Sequence, residues 1–558
     1  MTKPNKKPVP KAKKVPAKSA RVAFQEKPLG NAFYWGALGT FIFLTSLIRL
    51  RLLSIPFERD EGEYAYIAKL MLKGIAPFKE AYTMKLPGTS AMYAFLMTIF
   101  GQTNIGVHLG VLLMGTGTIL FLYLAFKKLF NAHVALFAAG VYAFMSVSPT
   151  VLGFAAHATH FITFFVAIAL YFLSRFYENR TILWAGLLGL MLGLAFIMKQ
   201  QAVFFIVFGG ISIVMASAME KPFRFKPLFF QLVVFTAAVL LPYGILVLIL
   251  KGAGTFDRFW FWTMTYAGKY ALGLSVDDGV KEFITRFKPM LSEFTFFWLA
   301  FFAGIVFTFF SRFTKQQKLL VLLFSLCAFL TVCPGLYFRR HYFVCFLPAV
   351  GLMGGVAMYY LTTWLSRFSK NRYIPLLPFI LLSLAAIVAV AGNKNYYFSS
   401  TPNEICKQQY GNNPFIESLQ IADYIKKNSV ATDKIAVLGS EPQISFYADR
   451  LSASGYIYTY PLVEIQPFNQ QMQEEMAVEI EKSKPKFIVY CLISASWLGK
   501  VGAPDTIFNW FNSYANINYE LTGVVDIYND QTIYKWNEEA AAYQPNSEQQ
   551  IKIYKLKD

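Results

Sequence analysis

The sequence is poor in cysteine, histidine and acid, and each shortage narrows the possible functions. Its 558 residues include 5 cysteines and 5 histidines. The cysteines form no CxxC pair and no spacing typical of a metal site, which disfavours a zinc or redox motif. Cys327, Cys333 and Cys345 fall in or beside apolar runs and are interpreted as packing residues. Cys406 and Cys491 could pair if their part of the chain lies outside the cytosol.

Motifs of nucleotide and hydrolase chemistry are also missing. The sequence contains no Walker-type loop, and no G-x-G-x-x-G follows a predicted strand. It also lacks the G-x-S-x-G motif of serine hydrolases. These absences disfavour a nucleotide-driven pump and a serine hydrolase.

Apolar residues, by contrast, are abundant. Hydrophobic residues make up 56% of the chain, aromatic residues 17%, and the mean hydropathy is +0.42, which predicts a polytopic membrane protein. The formal net charge is +20, but residues 1–30 alone hold nine Lys and Arg against the single acid Glu26. Much of the remaining excess lies in short loops between apolar runs. This pattern indicates membrane topology and attraction to anionic lipid, with no nucleic acid as a partner.

The apolar runs predict about eleven membrane helices after a disordered, basic, cytoplasmic tail at residues 1–30. The first run is long enough to be an uncleaved helix and not a signal peptide. The predicted spans are Asn31–Leu53, Asn104–Phe126, His133–Pro149, Phe154–Leu173, Ile182–Met198, Ala202–Ala218, Leu228–Leu250, Phe294–Phe310, Leu319–Thr331, Tyr342–Leu365 and Ile374–Ala391. The aromatic segment Thr255–Leu274 predicts a helix in the outer interface, without chemistry.

A charged stretch at residues 57–90 lies between two apolar segments. Asp60 and Glu61 open it, and acids beside a membrane span are costly to desolvate, so we predict a catalytic role for both. The spacing of Asp60 and Glu63 is also that of a capping box, so Asp60 is predicted to cap an amphipathic helix as well. Glu61 could instead only complement the helix dipole. Lys85, before Leu-Pro-Gly, is either a phosphate ligand or a snorkelling lysine.

Polar residues at other outer helix ends are predicted to complete the site. Basic side chains kept on the outer side against the topological bias favour an anion, although snorkelling would also explain them. The predicted donor phosphate-binding residues are Lys85, Lys199, Gln200, Arg339, Arg340, His341 and Tyr342. His157 and His160 share one helix face and are predicted to line a cavity, because two histidines alone are weak evidence for a metal.

The composition becomes polar after about residue 393, which marks a domain boundary. Phe415–Lys427 predicts a helix, and Val478–Lys482 the end of another. Strands are predicted at Lys434–Gly439, Lys486–Cys491, Tyr519–Tyr528 and Thr532–Trp536. With an odd number of spans, this small α/β domain is expected on the outer side of the membrane.

Four motifs in a fixed order then suggest a family: R-D-E-G-x-Y-A, K-x-P, F-x-x-K-Q-x-A and R-H-Y-F-x-x-x-L-P. In this order the chain resembles the GT-C glycosyltransferases of the protein-mannosyltransferase and aminoarabinose-transferase type, in the bacterial branch called family 39-like. The segment Gly439–Leu462 resembles the extracytoplasmic domain often attached in that branch. The resemblance allows 11 to 13 spans and divides the chain into a tail at 1–30, a transmembrane transferase domain at 31–392 with a catalytic outer loop at 54–103, and the soluble domain at 393–558.

The resemblance implies an enzyme of the bacterial cytoplasmic membrane that needs no cofactor. Such an enzyme moves a sugar, with inversion, from a polyprenyl-phosphate donor to an envelope acceptor such as protein, lipid A or glycan. It implies that Asp60 is the base, Glu61 its acidic neighbour and Lys85 a phosphate ligand, with Lys199 and Arg339 to His341 at the donor. Met84 replaces the glutamate of the aminoarabinose enzymes, which weakens a metal site there. The competing hypothesis is a flippase or transporter of lipid-linked sugars.

Overall fold

The computed structural model describes residues 29–219, 222–271, 273–369, 371–528 and 531–557. The predicted disordered tail falls almost entirely on residues 1–28, outside the described part. The described chain consists of a helical part followed by a C-terminal sheet domain. The longer helices of the first part are Asn31–Arg51, Arg59–Leu72, Gly88–Phe100, Asn104–Leu129, Ala132–Met145, Ala158–Asn179, Ile182–Met198, Val203–Ala218, Phe225–Gly252, Val276–Glu293, Thr295–Phe310, Lys315–Leu330, Leu347–Leu365 and Leu377–Gly392.

Fewer of these helices than predicted can cross a membrane alone. Within the described residues, six are long and apolar enough, or seven if the pair Val276–Glu293 and Thr295–Phe310, bent by 106°, counts as one span. A full crossing needs about 20 residues. Three further apolar helices, Gly88–Phe100, Ala132–Met145 and Ile182–Met198, have only 13 to 17 residues. Multi-pass membrane character is confirmed, whereas the count of about eleven full spans is not reproduced.

Small residues let the membrane helices pack closely. A Cβ at Gly351 would lie 2.5 Å from the Ala138 carbonyl oxygen, and one at Gly355 would lie 2.7 Å from that of Val134. These glycines stand one turn apart on Leu347–Leu365, so the helix rests directly on the backbone of Ala132–Met145. Lipid tails are as apolar as leucine, so backbone contact of this kind is a main source of helix association in membranes.

The sheet domain has six strands: β1 (Lys434–Leu438), β2 (Leu451–Ser452), β3 (Phe487–Leu492), β4 (Tyr519–Tyr528), β5 (Gln531–Trp536) and β6 (Gln550–Leu556). Their order is β2-β1-β3-β6-β4-β5. The pairs of β1 with β2 and with β3 are parallel, and the others are antiparallel. Helices Pro402–Tyr410, Glu417–Lys427, Pro442–Ala448, Asn469–Ser483 and Thr506–Asn518 accompany the sheet.

The α/β prediction for this domain is confirmed, but two of its strands, β2 and β6, were not predicted. All four predicted strands are present, and β6 inserts between β3 and β4 in the sheet. The two cysteines that could have paired are free: Cys406 is buried in a cluster with Leu52, and Cys491 packs in the sheet core. The segment predicted as an interfacial helix is helical and consists of three consecutive pieces, Phe256–Trp260, Phe261–Tyr266 and Ala267–Ala271.

Candidate active site

The helix Arg59–Leu72, here called the Asp60 helix, carries the acidic residues of the candidate site. It follows the predicted amphipathic pattern, but its cap is Glu58 and not Asp60. The Glu58 side chain accepts from the Glu61 backbone N–H at 3.0 Å, and the Glu61 side chain accepts from the Glu58 N–H. The predicted capping role of Asp60 is therefore wrong. The carboxylate of Asp60, two residues after the cap, is available for other contacts.

Asp60 forms a compact ionic cluster with Lys85 and Glu63. Lys85 Nζ lies 2.7 Å from Asp60 Oδ1 and 2.5 Å from Glu63 Oε2. Asp60 and Glu63 are three residues apart on one helix face, so a single ammonium reaches both. Lys85 retains a third N–H, since an ammonium has three donors. The lysine thus orients Asp60 and can still meet a further anion.

The charges of this cluster set its protonation. Burial alone would raise the pKa of the Asp60 carboxyl, but the Lys85 ammonium outweighs burial and holds the pKa well below its usual range. Burial would likewise lower the pKa of Lys85, but Asp60 and Glu63 raise it well above the usual value. At neutral pH, Asp60 is therefore a carboxylate and Lys85 an ammonium.

Lys199 belongs to the same site although it is more than a hundred residues away in sequence. It stands between the helices Ile182–Met198 and Val203–Ala218, and its Nζ lies 3.9 Å from the centre of the Tyr342 ring. Among the described residues its ammonium has no hydrogen bond or ion pair. Burial lowers its pKa to about 7, although the charge of Asp60 opposes that shift. Lys199 thus lacks the anion that would keep it charged.

Hydrogen bonds from side chains to backbone carbonyls join the Lys85 segment to the Lys199 segment. Thr89 Oγ1 donates to the Met198 carbonyl at 2.9 Å, and Gln200 Nε2 donates to the Met84 carbonyl at 3.3 Å. Gln200 therefore ties the two segments together. Because of these bonds the two lysines keep a fixed separation.

Two stacked histidines complete the cluster. The ring centres of His157 and His341 lie 3.8 Å apart with an interplanar angle of 14°. Neither ring nitrogen of the buried His157 has a hydrogen bond among the described residues, although Nδ1 lies 3.9 Å from Glu58 Oε1. Burial lowers the pKa of His157 to about 4, so its ring is neutral at pH 7. One ligand atom each from Asp60, His157 and His341 lies within 4.8 Å of the others. Such a set suits a divalent cation, but the Lys85 ammonium already pairs with Oδ1 of Asp60.

Comparisons with known proteins show which fold this structure shares. The family model described as dolichyl-phosphate-mannose-protein mannosyltransferase matches residues 84–246, and a comparison with curated proteins found no match. ArnT from Cupriavidus metallidurans bound to undecaprenyl phosphate has a TM-score of 0.57 and 15% identity over 91% of this chain and 98% of that chain. The Archaeoglobus fulgidus oligosaccharyltransferase tethered with an acceptor peptide has a TM-score of 0.53 and 12% identity over 91% and 74%. The chain has the fold of the GT-C glycosyltransferases. The resemblance inferred from the four motifs is confirmed.

Some of the predicted site residues do not face the cluster around Asp60. Glu61 is fully buried, where its Oε1 accepts from the Ala156 N–H at 2.6 Å and lies 2.8 Å from His108 Nε2. These contacts leave Glu61 no access to a substrate, and its predicted catalytic role has no support in the geometry. Its contacts instead fix the start of the Asp60 helix against the helix Asn104–Leu129 and against the segment that precedes Ala158–Asn179.

Arg340 and His160 also point elsewhere. The Arg340 guanidinium donates to the Thr150 carbonyl at 3.1 Å, to Gln409 Oε1 at 2.6 Å and to the Pro149 carbonyl. It therefore holds a loop together, and the guanidinium that was predicted to bind phosphate is engaged by these protein acceptors. His160 is buried with no hydrogen bond to either ring nitrogen among the described residues. Arg339 lies on the side of the Asp60 cluster, where its charge influences Lys199 and His341.

Two side chains of the candidate site were not predicted. Glu63 could have been found, because it shares the Asp60 face of the helix at i+3. Tyr458, whose hydroxyl lies 3.3 Å from Asp60 Oδ1, comes from the sheet domain 398 residues later, and no local pattern indicates it. A separate cavity of about 600 Å³ between the interfacial helix and Asn469–Ser483 includes neither Asp60 nor Lys199 in its walls.

Proposed function

We propose that this protein is an inverting glycosyltransferase that moves a sugar from a polyprenyl-phosphate donor to an envelope acceptor at the outer face of the bacterial cytoplasmic membrane. The observation that carries the proposal is a base and an uncompensated cation in one site. Asp60 is an ionised carboxylate fixed by Lys85, and Lys199 is a buried amine without an anionic partner in the described part of the chain. A lipid phosphate supplies the missing anion.

In this proposal Asp60 acts as the general base. Its carboxylate takes a proton from the acceptor hydroxyl or amine as that group attacks the anomeric carbon, and the bond between that carbon and the phosphate oxygen breaks. A positioned base of this kind contributes about 10²- to 10⁴-fold to the rate. A phosphate bound to the third N–H of Lys85 adds a negative charge beside Asp60, which raises the pKa of that carboxyl and makes the carboxylate a stronger base.

The cations of the site act on the leaving group. Charge builds on the phosphate as the sugar departs, and Lys199, Lys85 and Arg339 are the groups that would stabilise it. Neutral His157 and His341 would hold sugar hydroxyls, since each ring offers one donor and one acceptor. The proposal assigns residues 31–392 to the transferase domain, with the loop 54–103 in the site, and 393–558 to an extracytoplasmic domain.

Related proteins support this class of chemistry without fixing the sugar. One similar structure is described as bound to undecaprenyl phosphate and another as tethered with an acceptor peptide. A flippase or transporter would need the apolar helices and the cations. It gives no reason for a carboxylate fixed beside them.

Release of the lipid phosphate tests the proposal. The full-length protein would be reconstituted with ³²P-labelled undecaprenyl phosphate carrying mannose, aminoarabinose or galacturonic acid, together with a bacterial envelope extract as acceptor. Release of labelled undecaprenyl phosphate supports a transferase, and movement of intact donor across the bilayer without release contradicts it.

The variant Asp60→Asn identifies the base. We expect it to lose at least about 100-fold in turnover, because the amide cannot take up the proton. Its binding of undecaprenyl phosphate should be retained. Asp277→Asn is the matched control, since Asp277 is exposed on the helix Val276–Glu293. Substantial turnover by Asp60→Asn would remove this residue as the base.

A further inference from the structure

The sheet domain touches the reacting carboxylate directly. Tyr458, in the loop after β2, places its hydroxyl 3.3 Å from Asp60 Oδ1. The Lys85 ammonium lies 5.4 Å from the centre of the same tyrosine ring. Two donors from different parts of the chain, Lys85 and Tyr458, thus meet at one oxygen of Asp60.

Neighbouring contacts hold the sheet domain rigidly at this place. Arg59 Nη2 lies 2.5 Å from Glu441 Oε1, and their side chains are 9% and 0% exposed. Arg59 Nε also donates to the Ser440 carbonyl. One turn further, a Cβ on Gly62 would come within 2.7 Å of Gln443 Cβ, so the helix and the sheet domain touch backbone to side chain. Such contacts leave Tyr458 little freedom to move away from Asp60.

The two oxygens of Asp60 consequently differ. Oδ1 accepts from Lys85 and Tyr458, whereas Oδ2 has no hydrogen bond among the described residues. The side chain keeps 22% of its surface exposed. Two donors on one oxygen stop the carboxylate from rotating about the Cβ–Cγ bond, because rotation would break both contacts. The unoccupied oxygen therefore keeps one direction in the site.

We propose that Tyr458 is a positioning residue, supplied by the sheet domain, which fixes Oδ1 of Asp60 so that Oδ2 faces the acceptor as the base. The proposal rests on the proposed function, because it assigns a role within the same reaction. It makes the sheet domain part of the catalytic machinery and not only an acceptor-binding appendage.

The variant Tyr458→Phe tests the proposal in the full-length protein. It removes the hydroxyl and keeps the ring beside Lys85. We expect kcat for release of ³²P-labelled undecaprenyl phosphate to fall about 10-fold, as for one hydrogen bond to a charged group. The dissociation constant for undecaprenyl phosphate should change by less than about 2-fold. The acidic limb of the kcat profile should also move to higher pH, because a carboxylate that loses a donor is more easily protonated.

Tyr460→Phe is the matched control. Tyr460 packs edge to face on Tyr458 at 4.9 Å, but its hydroxyl donates to the Ala495 carbonyl at 2.7 Å and not to Asp60. It should keep wild-type kcat and pH profile. Equal losses in both variants, or an unchanged kcat in Tyr458→Phe, would overturn the positioning role. If the wild-type protein releases no undecaprenyl phosphate, the proposed function fails and this role fails with it, whereas release with an unaffected Tyr458→Phe overturns this role alone.

Discussion

Binding of a lipid phosphate should depend on pH through Lys199. Burial holds the pKa of this amine at about 7, and no anion near it is within ion-pair distance among the described residues. The protonated form is the one that attracts phosphate. Affinity is therefore full below pH 7 and is lost as the pH rises above that value.

The size of the effect follows from the protonated fraction. With a pKa of about 7, Lys199 is roughly one-quarter protonated at pH 7.5 and roughly 0.3% protonated at pH 9.5. An apparent dissociation constant scales inversely with the competent fraction, so undecaprenyl phosphate should bind up to about 75-fold more weakly at pH 9.5. The lipid phosphate itself keeps a constant charge in this range, since its second pKa is about 6.

Other charged neighbours of Lys199 do not titrate in this window. The pKa of Asp60 lies far below it, that of Lys85 lies well above its usual value, and burial raises the pKa of the Cys345 thiol to about 12. Arg339 remains charged throughout. A pH dependence between 7.5 and 9.5 therefore reports on Lys199.

Binding of ³H-labelled undecaprenyl phosphate to the reconstituted protein would measure the effect. Lys199→Arg keeps its charge at every pH and should bind with little pH dependence. Lys199→Met should bind weakly at both values. The reasoning is refuted if wild-type affinity changes less than about 3-fold between pH 7.5 and 9.5, or if Lys199→Arg shows the same slope.

Two further results are expected. Arg340→Ala should lower the free energy of unfolding by about 2 to 4 kcal/mol, because it removes charge-assisted hydrogen bonds to the loop at Pro149 and Thr150. Measurements of thermal unfolding and of lipid binding should show lower stability with unchanged affinity. Arg339→Ala should instead show lower affinity with unchanged stability. Treatment with EDTA should leave release of undecaprenyl phosphate unchanged, since the ammonium of Lys85 supplies the positive charge at Asp60; lost activity restored by Zn²⁺ or Mn²⁺ would contradict this.

Much of the site was predictable because ionisable side chains are energetically costly at the ends of apolar runs. Asp60, Lys85 and Lys199 are ionisable groups at the ends of apolar runs, and desolvation selects against such groups unless they have a role. The structure brings all three to one place together with His157 and His341.

Other parts of the site could not be predicted from the sequence. Glu58 to Glu61 and Asp60 to Glu63 have the same spacing, and only the packed structure decides which pair caps the helix. Arg339 and Arg340 are adjacent, yet a tight turn at Arg340–Cys345 sends their side chains in different directions. Tyr458 needs a contact across 398 positions, which no periodicity encodes.

The Arg59–Glu441 contact has a consequence for biosynthesis. Its partners are separated by 382 positions, so Arg59 is made long before the carboxylate that balances its buried charge. At about 5–20 residues per second, that interval lasts roughly 20 to 80 seconds. Throughout it the Asp60 helix lacks one of the contacts that hold its first turn. Under the proposed function, transfer would therefore begin only after Glu441 has been synthesised.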